Sequence, residues 1–340
     1  MSLRSALRPA PAVATALVVA LGLSACGGSS EAETADDAAA GDTVSFTWDR
    51  NTAAEDEEPA YEETTVDVPR DPENIVVFDM ASLDTIGALG GEVAGAPLDS
   101  VPDYLTGYLA EDAFNAGTLF EADLLEIEAQ QPDLIVIGGR SSALYEDLSQ
   151  IAPTVDLSIS GSFSETLERN AAFLGEVLGA EDEAAAKVAD LEEQIEEART
   201  VTADAGTGLG VMVSGGELSA MAPAGDDATG RNARGGIIYD VFGVEPAVAD
   251  VQAATHGEPV SFEFLLEHDP DYLWVVDRDA ATGSGEGEAA QAVLDNEIVD
   301  RTTAAKNDQI VYLDPTAWYI VFGGLDTTQR MIDDVMQIAA

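Results

Sequence analysis

Two arginines close two stretches of this chain that repeat one pattern. Pro132-Asp133-Leu134-Ile135-Val136-Ile137-Gly138-Gly139-Arg140 and Pro270-Asp271-Tyr272-Leu273-Trp274-Val275-Val276-Asp277-Arg278 each carry an Arg eight residues after the Pro. Each follows an acidic, helix-like run, residues 121–131 and 261–269. Pro-Asp reads as a helix stop and turn, and the apolar run as a β-strand. A run without alternation suits a central parallel strand covered on both faces. An Arg just beyond such a strand stands at the carboxyl end of the sheet, where open α/β sheets bind ligands. Its permanently charged, forked donors suit an anion. Arg234 is a third candidate, because it stands at the start of the helix-like run to Gly243. A cation is locally unfavourable there. It either binds an anion or is a solvated surface Arg.

The charge balance sharpens the question. The 340 residues hold 65 acidic and 14 basic side chains, a formal charge of −51, and the only lysines are Lys187 and Lys306. Such a surface excludes nucleic acid and anionic membrane surfaces as direct partners. It also repels anionic ligands unless arginines are clustered; otherwise it reads as a solvated acidic face suited to saline surroundings. A single cysteine, Cys26, rules out an internal disulfide and a thiolate metal site. The two histidines, His256 and His268, offer little material for a zinc or manganese centre. No intrinsic cofactor is expected.

The elements that must position these arginines form two similar α/β lobes. Residues 44–180 make the first lobe. It begins with a hairpin (44–48 with 64–68), followed by strands at 74–78 and 93–97, a helix from 82 to 89 with Ser82 as its cap, and a strand at 151–155. The aromatics between Tyr104 and Phe114 either stack on a ligand or fill core. Residues 181–205 form a long amphipathic connector, with Val188, Leu191, Ile195 and Ala198 at helical spacing. One stiff helix between lobes implies small domain motion. Residues 206–340 make the second lobe: strands at 208–213, 218–222 and 309–314, a loop at Trp318-Tyr319 and a closing helix from 325 to 338.

The amino terminus has the pattern of a secretory signal. Arg4 and Arg8 precede an apolar run from Val13 to Leu23 that is too short to span a membrane and leads into Leu23-Ser24-Ala25-Cys26. It resembles a lipoprotein signal (residues 1–25), with the mature chain starting at a lipidated Cys26. Residues 26–43, rich in Gly, Ser, Ala, Glu and Asp, read as a flexible tether. The expected location is the outer face of the cell membrane, held there by lipid.

From about Val66 onward the chain resembles the siderophore-binding lipoproteins of iron-uptake ABC importers, and within them the petrobactin and catecholate binders. The stretches that carry the resemblance are Val76-Val77-Phe78-Asp79 with Ser82-Leu83-Asp84-Thr85, Pro132-Asp133-Leu134-Ile135 and Tyr239-Asp240-Val241-Phe242-Gly243. Thr255-His256-Gly257, Pro270-Asp271-Tyr272-Leu273 and Val311-Tyr312-Leu313-Asp314 before Trp318-Tyr319 complete them, in order along the chain. The resemblance implies an α/β fold of two Rossmann-like lobes with mostly parallel sheets, one long connecting helix and a ligand cleft between the lobes. It implies that Arg140, Arg234 and Arg278 line the cleft with Trp318, and that His256 and Tyr319 ligate iron carried in a bound Fe(III)-siderophore. A ferric tris-catecholate carries about three negative charges. One guanidinium at ~5 Å contributes roughly 3 kcal/mol at an effective dielectric of ~20, before desolvation. Ferric iron is a hard ion that suits a phenolate, and an imidazole can complete the shell of a bis-catecholate. His256 alternatively bonds backbone in its loop, and Trp318 and Tyr319 alternatively pack.

The resemblance also implies an ABC permease with a cytoplasmic ATPase as partner, docked through Glu263 on the second lobe. On the first lobe the equivalent position falls on Leu125, with Glu121 and Glu126 nearby. The protein is expected to be a monomer and not an enzyme. A haem or corrinoid receptor of the same fold would need a broad apolar face and fewer cations. A secreted hydrolase would need a Gly-x-Ser-x-Gly elbow, which the sequence lacks.

Overall fold

The computed structural model describes residues 43–53, 60–223, 234–252, 254–283 and 289–339. Cys26, the signal and the tether lie outside them. A hairpin of β1 (Thr43–Asn51) and β2 (Tyr61–Pro69) opens the described chain. Its alternating burial puts Val44 and Phe46 inward, where Phe46 meets Phe173 at 4.5 Å between ring centres.

The first lobe is a five-stranded, wholly parallel sheet in the order β5-β4-β3-β6-β7. Its strands are β3 (Ile75–Val77), β4 (Val93–Ala96), β5 (Leu109–Asn115), β6 (Leu134–Ile137) and β7 (Thr154–Asp156). All four residues of β6 are buried, as its unbroken apolar run requires. The helices of this lobe are α1 (Met80–Ala88), α2 (Leu124–Gln130), the single turn α3 (Tyr145–Leu148) and α4 (Phe163–Val177). Helix α1 is capped by Asp79, not by Ser82. The Asp79 carboxylate accepts the Ser82 N–H at 2.9 Å and its hydroxyl at 2.7 Å, so Ser82 is the donor inside the first turn.

Helix α5 (Glu181–Ala203) is a single long helix between the two sheets in sequence, and it buries Val188, Leu191, Ile195 and Ala198 as their spacing predicts. Three acids in its first turn complement the helix dipole.

The second sheet is mixed, in the order β11-β9-β8-β12-β13, with β10 (Glu245–Pro246) also paired to β8. Strands β8 (Thr207–Ser214), β12 (Tyr272–Asp277) and β13 (Ile310–Tyr312) run parallel. Strands β9 (Glu217–Ala220) and β11 (Glu258–Val260) are the antiparallel edge. Around them lie α6 (Ile237–Asp240), α7 (Phe262–His268), α8 (Arg278–Thr282), α9 (Ala290–Leu294), α10 (Thr303–Lys306) and α11 (Leu325–Met336).

The repeated units fold alike. Helices α2 and α7 both end on a left-handed residue, Gln131 (φ 52°) and Asp269 (φ 41°), immediately before the Pro. The Asp after each Pro then clips the neighbouring strand. Asp133 accepts the N–H groups of Glu73 and Asn74 at 3.1 and 3.0 Å, just ahead of β3. Asp271 accepts the N–H of Thr207 at 2.8 Å, at the head of β8.

The closing helix does not stay within the second lobe. Helix α11 packs against α5 and against α1 of the first lobe. Its N-cap, Gly324, has no side chain to satisfy the first free N–H groups. Asp84 of α1 does so instead, accepting the N–H groups of Asp326 and Thr327 at 2.8 Å each and the Thr327 hydroxyl at 2.7 Å. A Cβ on Gly324 (φ 82°) would stand 2.5 Å from the Asp84 carboxylate, so the close approach requires glycine. Tyr104, from the expected aromatic stretch, hydrogen-bonds Thr327 at 2.8 Å, and Tyr108 donates to Asp326. Those aromatics therefore serve packing at the lobe junction.

Candidate functional site

The segment after β13 is a π-helix, Thr316–Val321, where a loop was expected. It ends on Phe322 in the left-handed region (φ 37°), a strained conformation for a bulky residue and of the kind that gathers at functional sites. Its closing bond runs from the Phe322 N–H to the Ala317 carbonyl at 2.8 Å. The carbonyls of Tyr319 and Ile320 are taken by arginine side chains.

Arg140, from the loop after β6, donates to the Tyr319 carbonyl at 2.7 Å and to the Ile320 carbonyl at 2.9 Å. Arg234 is buried; it donates to the same Tyr319 carbonyl at 3.0 Å and to the Thr255 carbonyl at 2.7 Å. Arg278, the first residue of α8, donates through Nε to the Tyr319 hydroxyl at 2.8 Å and through a terminal nitrogen to the Ser214 hydroxyl at 2.8 Å. All three guanidiniums surround one aromatic ring. Their carbons lie 5.9 Å (Arg140), 4.1 Å (Arg234) and 5.6 Å (Arg278) from the Tyr319 ring centre. Phe322 lies beneath the pair Arg140 and Arg234, 5.4 Å from each.

His256 reaches the same tyrosine. Its ring stacks on that of Tyr319 at 6.3 Å, and the Tyr319 hydroxyl is 3.5 Å from its Nδ1. The imidazole is exposed, whereas the Tyr319 ring is buried. Among the described residues no group of three or more His, Cys, Asp or Glu is placed to hold a metal ion. One phenol and one imidazole can supply two ligands to a metal that arrives already chelated.

Trp318 packs into the core. Its indole is buried against Phe242 and donates to the Asp334 carboxylate at 2.9 Å. Neighbouring helical residues point about a third of a turn or less apart, so when Tyr319 faces the arginines Trp318 turns into the core. Ser214, the Thr255 carbonyl, Phe322 and the Asp84–Thr327 contact were not foreseen. The Phe322-Gly323-Gly324 break after the aromatic pair was the one sequence signal for any of them. His268 is exposed on α7, its ring tilted against that of Phe264.

What the arrangement can do is hold an anion. In a chain of −51, three fixed guanidiniums drawn from both lobes converge on one aromatic ring at the carboxyl ends of β6 and β12.

The periplasmic binding protein family matches residues 75–317. The petrobactin-binding protein YclQ of Bacillus subtilis strain 168 is 34% identical, over 94% of this chain and 95% of its own. A solved TroA-like periplasmic binding protein from Xylanimonas cellulosilytica is 69% identical with a TM-score of 0.84, covering 87% of this chain and 99% of that one. The catecholate-siderophore binding protein VctP of Vibrio cholerae is 32% identical with a TM-score of 0.73, covering 86% and 100%. A family match over most of the chain, together with a relative 34% identical over 94% of it, makes this chain a member of the periplasmic binding protein family.

Proposed function

We propose that the chain captures a ferric siderophore of catecholate or mixed catecholate–carboxylate type and passes it to an ABC permease for iron import. The observation that carries this reading is the convergence of Arg140, Arg234 and Arg278 on Tyr319, with His256 against its hydroxyl. The relatives named for petrobactin and for catecholate siderophores support it. The guanidiniums neutralise the anionic chelate, and Tyr319 and His256 complete the iron shell where the chelate leaves positions open. The protein binds and releases without turnover.

Docking uses carboxylates on or beside the equivalent helices α2 and α7. Glu263 lies exposed in the first turn of α7. On the first lobe Glu121 is exposed, and Glu126 is partly buried with its carboxylate held by the Gln130 amide at 2.8 Å. Leu125 occupies the place in α2 that Glu263 has in α7 and is 81% exposed, so the first-lobe contact is centred on an apolar side chain flanked by Glu121 and Glu126. Anchoring is through lipid on Cys26 at the outer face of the membrane, and the protein works as a monomer. No described helix is long and apolar enough to cross a membrane. With both α5 and α11 joining the lobes, closure on the ligand is small.

Titration of the purified protein with ferric bis-catecholates, ferric hydroxamates and haem tests the reading. Saturable sub-micromolar binding of the ferric catecholates is expected. Binding of hydroxamates or haem alone would refute it.

A further inference from the structure

Among the described residues the exposed large hydrophobic side chains are Tyr61, Phe120 and Leu125. A single side chain of this kind is ordinary on a soluble surface. Phe120 and Leu125 are a pair: they are 59% and 81% exposed and share one short segment of the first lobe.

The backbone that carries them is fixed. Residues 117–122 form a tight turn closed by the bridge between Gly117 and Ala122. The Thr118 N–H donates to the Glu121 carbonyl at 2.8 Å. The Thr118 hydroxyl oxygen accepts the N–H groups of Phe120 and Glu121 at 3.2 and 3.0 Å. Leu119 is buried, whereas its neighbour Phe120 stays outside. Gly117 (φ 121°) permits the turn, since a Cβ there would stand 2.3 Å from the Glu121 carbonyl oxygen. Asp123 then caps α2 by accepting the Glu126 N–H at 3.1 Å, and Leu125 is the second residue of that helix. An apolar pair displayed on ordered backbone loses little further freedom when a partner covers it.

Charge selects the partner. Glu121, Asp123 and Glu128 flank the pair in sequence and are exposed, on a chain of −51. A second copy and an anionic lipid surface are both repelled. A protein surface with an apolar socket and a basic rim is attracted. The second lobe differs at the matching place. Helices α2 and α7 are each seven residues long, and the second position, Leu125 in α2, is the exposed Glu263 in α7.

We propose that Phe120 and Leu125 form a paired apolar anchor that seats in a socket on one half of the permease, while Glu263 takes a cation on the other half. Unlike contacts on the two lobes set the protein on the permease in one orientation only. The proposal rests on the siderophore-import reading and gives its docking step a chemistry.

Iron uptake from a ferric bis-catecholate tests it, in source cells whose own copy is replaced by full-length variants. The double variant Phe120→Ser with Leu125→Ser is expected to lose about tenfold or more of the uptake rate. Once purified, it is expected to bind the chelate within about twofold of the unaltered protein. Leu125→Glu copies the carboxylate of the second lobe onto the first. It is expected to lower uptake as well, because a carboxylate enters an apolar socket only by losing its hydration. Unchanged uptake in the double variant, or uptake preserved by Leu125→Glu, overturns the anchor. A wild-type dimer in sedimentation that the double variant abolishes also overturns it, by making a second copy the occupant. Binding of the Cys26→Ser protein to phosphatidylcholine vesicles that requires the two side chains overturns it in favour of lipid. Failure of the unaltered chain to restore uptake overturns the import reading itself. Leu125→Glu alone decides the matter if the double variant does not fold.

Discussion

Arg140 and Tyr319 come from different lobes, and the guanidinium of one holds the main-chain carbonyl of the other at 2.7 Å. The same carbonyl takes Arg234 at 3.0 Å. A charge-assisted hydrogen bond of this kind contributes about 1.5–3 kcal/mol. The two forks therefore fix the position of the tyrosine ring between the lobes. The third arginine sets the other end of the ring, through its hydroxyl.

The division of labour between Arg140 and Arg278 can be separated experimentally. Arg140→Ala and Arg278→Ala are each expected to weaken ferric catecholate binding tenfold or more, about 1.4 kcal/mol. Arg140→Lys keeps the charge but cannot fork across the carbonyls of Tyr319 and Ile320. It should recover only part of the affinity lost in Arg140→Ala. Calorimetric titration of the three variants checks this. Full recovery by lysine would mean that charge alone matters, and an unchanged affinity in both alanine variants would make the pair structural.

Trp318 and Tyr319 are adjacent in sequence and opposite in role. Trp318→Phe keeps an aromatic ring against Phe242 but removes the donor to Asp334. Asp334 would retain the Asp314 N–H at 2.7 Å and lose its indole partner. Losing one hydrogen bond to a half-buried carboxylate that keeps other partners costs about 0.5–1.5 kcal/mol. Chemical denaturation should show that loss, while affinity for a ferric catecholate stays within about twofold. A large affinity loss in a variant of unchanged stability would place the indole in the ligand site after all.

Local chemistry was legible in the sequence, and long-range pairing was not. The units ending in Arg140 and Arg278 could be read because helix stop, Pro-Asp turn and apolar strand are all neighbours in the chain. The reason for each Asp was not legible, since Asp133 accepts from Asn74 and Asp271 from Thr207, which lie 59 and 64 positions earlier in the chain. The long connector was readable from four apolar residues at helical spacing. The face of Trp318 was not, because a widened π turn decides which way its side chain points and no composition rule signals that turn. Nor was the role of α11: a helix following the second lobe is capped by Asp84, 243 positions before Thr327, and only the folded chain brings them together.

That cap makes a pH-dependent prediction. Burial raises the Asp84 carboxyl from 3.8 to about 7, against the opposing pull of Thr327 and the Asp326 N–H. The groups facing it are Asp326, whose charge also raises it, and Tyr104 and Tyr108, with the Arg330 guanidinium 4.1 Å from the Tyr104 ring. Between about pH 4 and pH 7 the native state holds a proton at Asp84 that the unfolded chain has released. Stability therefore falls as pH rises through that window, because the native state binds more protons there. Below the window both states are protonated and the contribution is constant; above it both are ionised and the full penalty is present. Asp84→Asn removes the titration and keeps an acceptor for one of the two N–H groups of α11. The melting temperature of the wild type minus that of Asp84→Asn should thus decline from pH 4 to pH 7 and level off above. Subtraction cancels the titration of the other acidic residues, which is why the difference, and not either curve alone, is the measurement. Parallel curves across the window would show that Asp84 does not hold its proton in the folded protein.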